Sequence, residues 1–142
     1  MAIGDRSLKC IAKAYHDCSS VRDSILGEHN LQGFFKAYMS LNVLYLVWPE
    51  HELNYGYSDF LLVPDLKQFP EIAHSYIMEL KYVKPTATED ELATKCSEAE
   101  AQLKKYASDK NLVRQCQGTK LHLLKVVFKG AEMVVCEDID VR

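Results

Sequence analysis

The stretch Tyr76-Ile77-Met78-Glu79-Leu80-Lys81-Tyr82 sets a carboxylate and an ammonium, two residues apart, inside an otherwise apolar run. A run of this length and composition, bounded by Lys84-Pro85, predicts a buried strand over 74–83. Burial of a charge is costly unless it is paired or bound to a metal. Side chains at i and i+2 of a strand point the same way, so Glu79 and Lys81 share a face with Ile77. Two explanations stand level by pattern alone: a satisfied salt bridge on a half-exposed strand, or a cation site.

Outward from this strand the period of the apolar residues changes twice. Upstream, Leu8, Ile11 and Tyr15 have helical spacing and predict a helix over 7–18, broken at Cys18-Ser19-Ser20. A second helix is predicted over 21–41 from Val21, Ile25, Leu31, Phe34, Phe35, Tyr38 and Met39. Glu28 falls on its apolar side, three before Leu31 and seven before Phe35. The β-branched and aromatic run 43–48 predicts a strand that Pro49 ends, with Trp48 as a core residue. Gly56 supplies a bend, and 58–63 reads as a strand stopped by Pro64-Asp65.

Downstream, Thr88 followed by Glu91 has the form of a capping box, and acids crowd the first turn. The helix so begun runs to about Ala107, with Leu92, Cys96, Ala99, Leu103 and Tyr106 on one face. Strands follow over 121–128 and 131–136, joined by a tight turn at Lys129-Gly130. The pattern predicts an α/β fold with a mixed sheet: a meander, then a helical crossover.

Within the strand over 58–63, Asp59 shares a face with Leu61 and Val63. If this strand neighbours 74–83, Asp59, Glu79 and Lys81 converge at one end of the sheet. Two carboxylates and a lysine on an apolar background suit a hard cation such as Mg²⁺, which takes oxygen ligands and keeps several waters. On the crossover helix Gln102 and Tyr106 are four apart and stack on one side, bordering the sheet.

In this order, Asp59, then Glu79-Leu80-Lys81 as E-x-K, then Gln102 to Tyr106 as Q-x-x-x-Y, the chain resembles the PD-(D/E)XK nuclease superfamily. More narrowly it resembles the nuclease-like domain at the C-terminus of many bacterial AAA-type ATPase proteins. The resemblance covers about 28–136. It implies a restriction-endonuclease-like three-layer core, α-β-β-β-α-β, with an extra N-terminal helix and a C-terminal strand. It further implies a Mg²⁺-dependent nuclease, with Mn²⁺ as a substitute. Asp59 and Glu79 would be metal ligands, the Leu80 carbonyl a third, and Glu28 the outer ligand. Lys81 would position the attacking water, and Gln102 and Tyr106 would support the site or touch the phosphodiester backbone. The residue before Asp59 is Ser58 rather than Pro, and Tyr57 stands where many close relatives carry a basic residue.

The expected partner is nucleic acid, DNA rather than RNA. Nothing in the sequence matches G-x-x-x-x-G-K-[ST], so an ATPase would have to lie in a longer parent protein. The expected organisation is one nuclease-like domain over 1–142, with 1–20 as a helical extension. The net charge of −3 argues against indiscriminate nucleic-acid binding. Positive charge nevertheless collects between 101 and 130, where Asp109 is the only acid. Lys104 and Lys105, on the helix of Gln102 and Tyr106, are the candidate nucleic-acid contacts.

Five cysteines without a C-x-x-C pair read as reduced thiols. The first residues lack the apolar core of a secretory signal, and no run reaches a membrane span of ~20 residues. A cytoplasmic location is expected. Cys10, His16 and Cys18 lack a fourth ligand at zinc-site spacing. His29 and His51 are minor candidates for the mouth of the site, and Glu52, before the bend at Gly56, for an extra ligand. A non-catalytic module of the same fold, binding nucleic acid or a protein, is the competing reading, and the negative net charge favours it.

Overall fold

A computed structural model describes residues 5–18, 21–41, 44–53 and 56–139, with side chains over 8–18, 27–41, 44–48 and 59–139. The elements run α1 (Asp5–Cys18), α2 (Val21–Met39), β1 (Tyr45–Leu53), β2 (Gly56–Pro64), β3 (His74–Val83), α3 (Glu89–Ala107), α4 (Lys110–Gln115), β4 (Lys120–Lys129) and β5 (Glu132–Ile139). The strands form one mixed sheet in the order β1-β2-β3-β4-β5. Only β3 and β4 are parallel, because the chain between them crosses over through α3 and α4. The described residues thus form a mixed-sheet α/β fold of the restriction-endonuclease-like kind.

Alternation along the strands divides the interior into two cores. Phe60, Leu62, Tyr76, Met78, Leu80, Leu124, Val126 and Phe128 face Leu31 and Phe35 of α2 and Leu8, Ala12 and Tyr15 of α1. Leu61, Val63, Ile77 and Leu123 face Leu103 and Tyr106 of α3 and Leu112 of α4. Each such side chain contributes about 1.5–3 kcal/mol on burial, so the sheet is clamped from both faces.

The predicted elements recur with four differences. Strand β1 does not end at Pro49 but continues to Leu53, with Pro49 opposite Phe60. An edge strand tolerates proline because the missing N–H costs no ladder bond. Helix α2 is not continuous: Gly27 has φ 59° and ψ −132°, and the helix restarts after it. A Cβ at Gly27 would come within 3.3 Å of the Tyr82 ring, so both the backbone angle and the contact call for glycine. Helix α4 was not foreseen. The buried Asp109 caps it by accepting from the Asn111 and Leu112 amides at 2.8 and 3.0 Å. Trp48 is not a core residue; it is 36% exposed. Strand β3 and the start of α3 are as predicted, including both halves of the Thr88/Glu91 capping box.

The sheet opens where the polar residues lie. Strand β2 pairs with β3 only at Phe60↔Met78, Leu61↔Ile77 and Leu62↔Tyr76. Its pairing with β1 continues to Leu53↔Gly56. The β1–β2 hairpin therefore leaves β3 beyond Phe60, and Asp59 sits at the fork.

A candidate metal centre at the fork of the sheet

The fork leaves the Leu80 N–H without a partner strand on that side, and the Asp59 side chain takes its place. Leu80 N–H donates to Asp59 Oδ2 at 2.7 Å. A strand residue directs its N–H and C=O to the same side, so the Leu80 carbonyl faces this gap too. Across the gap, Gln32 Nε2 donates to Asp59 Oδ1 at 3.1 Å. Gln32 lies one turn beyond Glu28 on the restarted half of α2, and residues four apart share a helix face. Glu28 is half-buried, and its charge acts on Asp59. The kink at Gly27 thus brings two polar α2 side chains toward the fork.

Glu79 is almost wholly enclosed, 2% exposed. Lys81 Nζ lies 3.7 Å from its Oε2. Its other oxygen, Oε1, is buried without a hydrogen-bond partner. Burial, then the neighbouring Asp59 carboxylate, push the Glu79 pKa up to about 8 against the opposing pull of Lys81. Burial likewise raises Asp59, while the Leu80 amide and Lys81 work the other way and Glu28 adds to the rise. Tyr106 is buried at the same place. Its pKa is pushed up to about 12 by burial and then by the charges of Glu79 and Asp59. Gln102, one turn before Tyr106, has a buried Oε1 without a hydrogen-bond partner.

Asp59, Glu79 and Lys81 thus lie together at one end of the sheet, as strand alternation predicts, with the Leu80 amide, Glu28 and Tyr106 beside them. Among the described residues no three His, Cys, Asp or Glu side chains stand as a ready-made metal cage. The donors at the fork are instead carboxylate oxygens and a backbone carbonyl. They fit a hard divalent ion that keeps part of its water. The orphaned Glu79 oxygen fits as well, since a cation beside it would oppose the burial and the Asp59 charge that raise its pKa.

Three predicted positions lie at the surface. Lys104 is exposed and tied to Glu100 at 2.9 Å, and Lys105 is exposed beside it. His29 is exposed. The side chains of His51, Glu52, Tyr57 and Ser58 lie outside the described residues. Cys10, His16 and Cys18 are exposed along α1, and no disulfide joins the described cysteines. Gln32 escapes a reading of the sequence that weighs carboxylates first. The available signal was its position four residues after Glu28.

The fold, the forked sheet and the ordered carboxylates and lysine define a class: an α/β protein with an acidic centre between two parting strands. The sequence profile of the PD-(D/E)XK nuclease superfamily matches residues 26–138, and the chain belongs to that superfamily. No match is found among curated proteins or among solved structures. Among the described residues, no helix is long and apolar enough to cross a membrane.

Proposed function

We propose that the chain is a Mg²⁺-dependent nuclease that hydrolyses phosphodiester bonds, with DNA as the first substrate to test. The observation that carries this reading is the enclosed Glu79 carboxylate. It has one oxygen toward Lys81 and one without a partner, next to a second carboxylate. A salt bridge kept only for stability would not leave a buried oxygen orphaned, since that costs about 1–3 kcal/mol.

In this reading Asp59, Glu79 and the Leu80 carbonyl hold the ion, and Glu28 supplies an outer acceptor. A divalent cation there supplies Lewis-acid polarisation of a phosphoryl oxygen and a more acidic bound water. The chain's own residues do the rest. Gln32 and the Leu80 amide fix the Asp59 carboxylate so that it needs no reorganisation on binding. The Lys81 ammonium orients the attacking water and stabilises negative charge as it develops on the phosphoryl oxygens. Tyr106 holds its proton, because burial beside two carboxylates disfavours the phenolate. Its hydroxyl, with the amide of Gln102, can then donate to a phosphate oxygen.

The experiment is cleavage of plasmid DNA, and of single-stranded DNA and RNA, with Mg²⁺ or Mn²⁺ and with chelator. Wild type should cut one of these only with metal, and Asp59→Ala should cut none. The competing reading, a binding module without activity, has the net charge of −3 in its favour. Metal uptake without cleavage of any of the substrates would support it.

A further inference from the structure

We propose that Gln32 limits the metal centre to a single divalent ion, by holding an amide N–H against Asp59 Oδ1 where a second ion would bind. The inference rests on the metal-dependent nuclease reading. It deepens that reading from which residues hold the ion to how many ions they hold.

Two-metal sites place their ions about 3.5–4 Å apart, and a carboxylate shared between them gives one oxygen to each. At the fork both oxygens of Asp59 are already engaged, by different elements. Oδ2 accepts the Leu80 N–H of β3 at 2.7 Å, and Oδ1 accepts Gln32 Nε2 of α2 at 3.1 Å. The two bonds differ in consequence. The Leu80 N–H belongs to a residue whose carbonyl faces the same gap, so an ion beside Oδ2 finds a further oxygen. An ion beside Oδ1 meets an amide nitrogen, which only donates. The N–H repels a cation there and offers it no lone pair.

Charge points the same way. Asp59 and Glu79 bring two negative charges, and Glu28 on α2 adds a third that acts on Asp59. Lys81, 3.7 Å from Glu79 Oε2, returns one positive charge. One divalent ion neutralises this set. A second would leave two positive charges in excess beside a buried carboxylate, and a phosphodiester adds a single negative charge against them. Among the described residues no three His, Cys, Asp or Glu side chains converge as metal ligands, so no second set of donors stands beside the first. The Lys81 ammonium already supplies the further positive charge that a second ion brings to a two-metal site.

The competing account is that Gln32 only anchors Asp59 and has no bearing on the number of ions. The two accounts part when the donor is exchanged for an acceptor of the same shape, as in Gln32→Glu. The readouts are Mn²⁺ uptake at equilibrium and its electron paramagnetic resonance, with the ions retained by Asp59→Ala subtracted. Wild type should take up one ion, with the spectrum of an isolated Mn²⁺. Single- or double-stranded phosphorothioate oligonucleotide should not raise that count. Gln32→Glu should take up two ions, with the spectrum of a spin-coupled pair. Gln32→Met removes the donor and adds no ligand. It should keep the count at one and weaken the affinity by about 10- to 100-fold, as the loss of an outer-shell partner does.

Two ions in wild type, with or without the oligonucleotide, overturn the limit and leave the nuclease reading intact. So does a single ion in Gln32→Glu, or a Gln32→Met protein that binds Mn²⁺ as tightly as wild type. If Gln32→Glu does not fold, the wild-type count and Gln32→Met carry the test. No uptake by wild type beyond that of Asp59→Ala overturns the metal centre itself, and the limit with it.

Discussion

Glu79 on β3 and Lys125 on β4 are partners in register across the parallel pair, and both are buried. Their surroundings differ sharply. Lys125 Nζ is 2.8 Å from Glu137 and 3.5 Å from Glu100. Burial works against its charge, but the two carboxylates outweigh that and hold its pKa above the usual lysine range. Glu100, hydrogen-bonded to Lys104 and facing Lys125, is held below the usual carboxylate range. There the protein alone satisfies its charges. At Glu79 one lysine 3.7 Å away faces an acid that a second acid crowds. The protein leaves one oxygen of that carboxyl group without a partner, and the proposed metal centre rests on this difference.

The widest separation between the two regions should come from catalysis. Lys81→Met keeps the aliphatic stem and removes the charge. Turnover on the cleaved substrate should fall by about 10²–10³-fold while metal uptake persists. Lys125→Met should leave turnover within a few-fold of wild type. Equal losses in the two variants would show that the two buried charges play the same part.

Stability should move in opposite directions. Without metal, Glu79→Gln removes a buried carboxylate that the protein fails to balance. The variant should be more stable than wild type at pH 8, by about 1–3 kcal/mol, in urea denaturation. Lys125→Met breaks a satisfied pairing and should lower the melting temperature. A destabilised Glu79→Gln would mean that its carboxylate is structurally satisfied after all.

A third difference lies in pH. Folded Glu79 keeps its proton up to about 8, whereas an unfolded glutamate releases it near the usual 4.5. Between those values the folded state carries the extra proton, so raising the pH favours unfolding. The metal-free protein should thus lose stability from about pH 4.5 through about 8, at up to about 1.4 kcal/mol per pH unit from this group. Glu79→Gln should flatten the profile.

The smallest effect is expected on the outer side of α3. Lys104 is already engaged by Glu100, so Lys105 is the freer charge to meet a phosphate. Reversing both to Glu should weaken nucleic-acid binding across all sequences. It should also flatten the salt dependence by about 0.9 log unit per lost contact for each tenfold rise in salt. An unchanged slope removes this helix from the binding face.

The contrast also shows what a sequence can and cannot carry. Glu79 and Lys81 stood out because charge inside a β3-like run is anomalous, and alternation alone placed Asp59 on the same face. Thr88 and Glu91 marked the start of α3 through local hydrogen-bonding chemistry. Lys125 was invisible as a partner of Glu79, because parallel register is set across the α3–α4 crossover rather than by neighbouring residues. The α2 kink was hidden for a similar reason: Gly27 departs from the helix where Tyr82, far along the chain, leaves no room for a Cβ. Pro49 misled because its meaning depends on whether a strand lies at the edge. Trp48 misled because hydrophobicity indicates burial on average and says nothing of where a covering helix stops.

The claim that the fork between β2 and β3 is a metal centre meets its most direct test in thermal melting with and without Mn²⁺. A metal that binds only the folded state adds about 2.7 kcal/mol of stability at a hundredfold excess over its Kd. Wild type should melt at a higher temperature as Mn²⁺ is added, and Asp59→Ala should not respond. Identical responses in the two proteins, or none in either, would contradict the account.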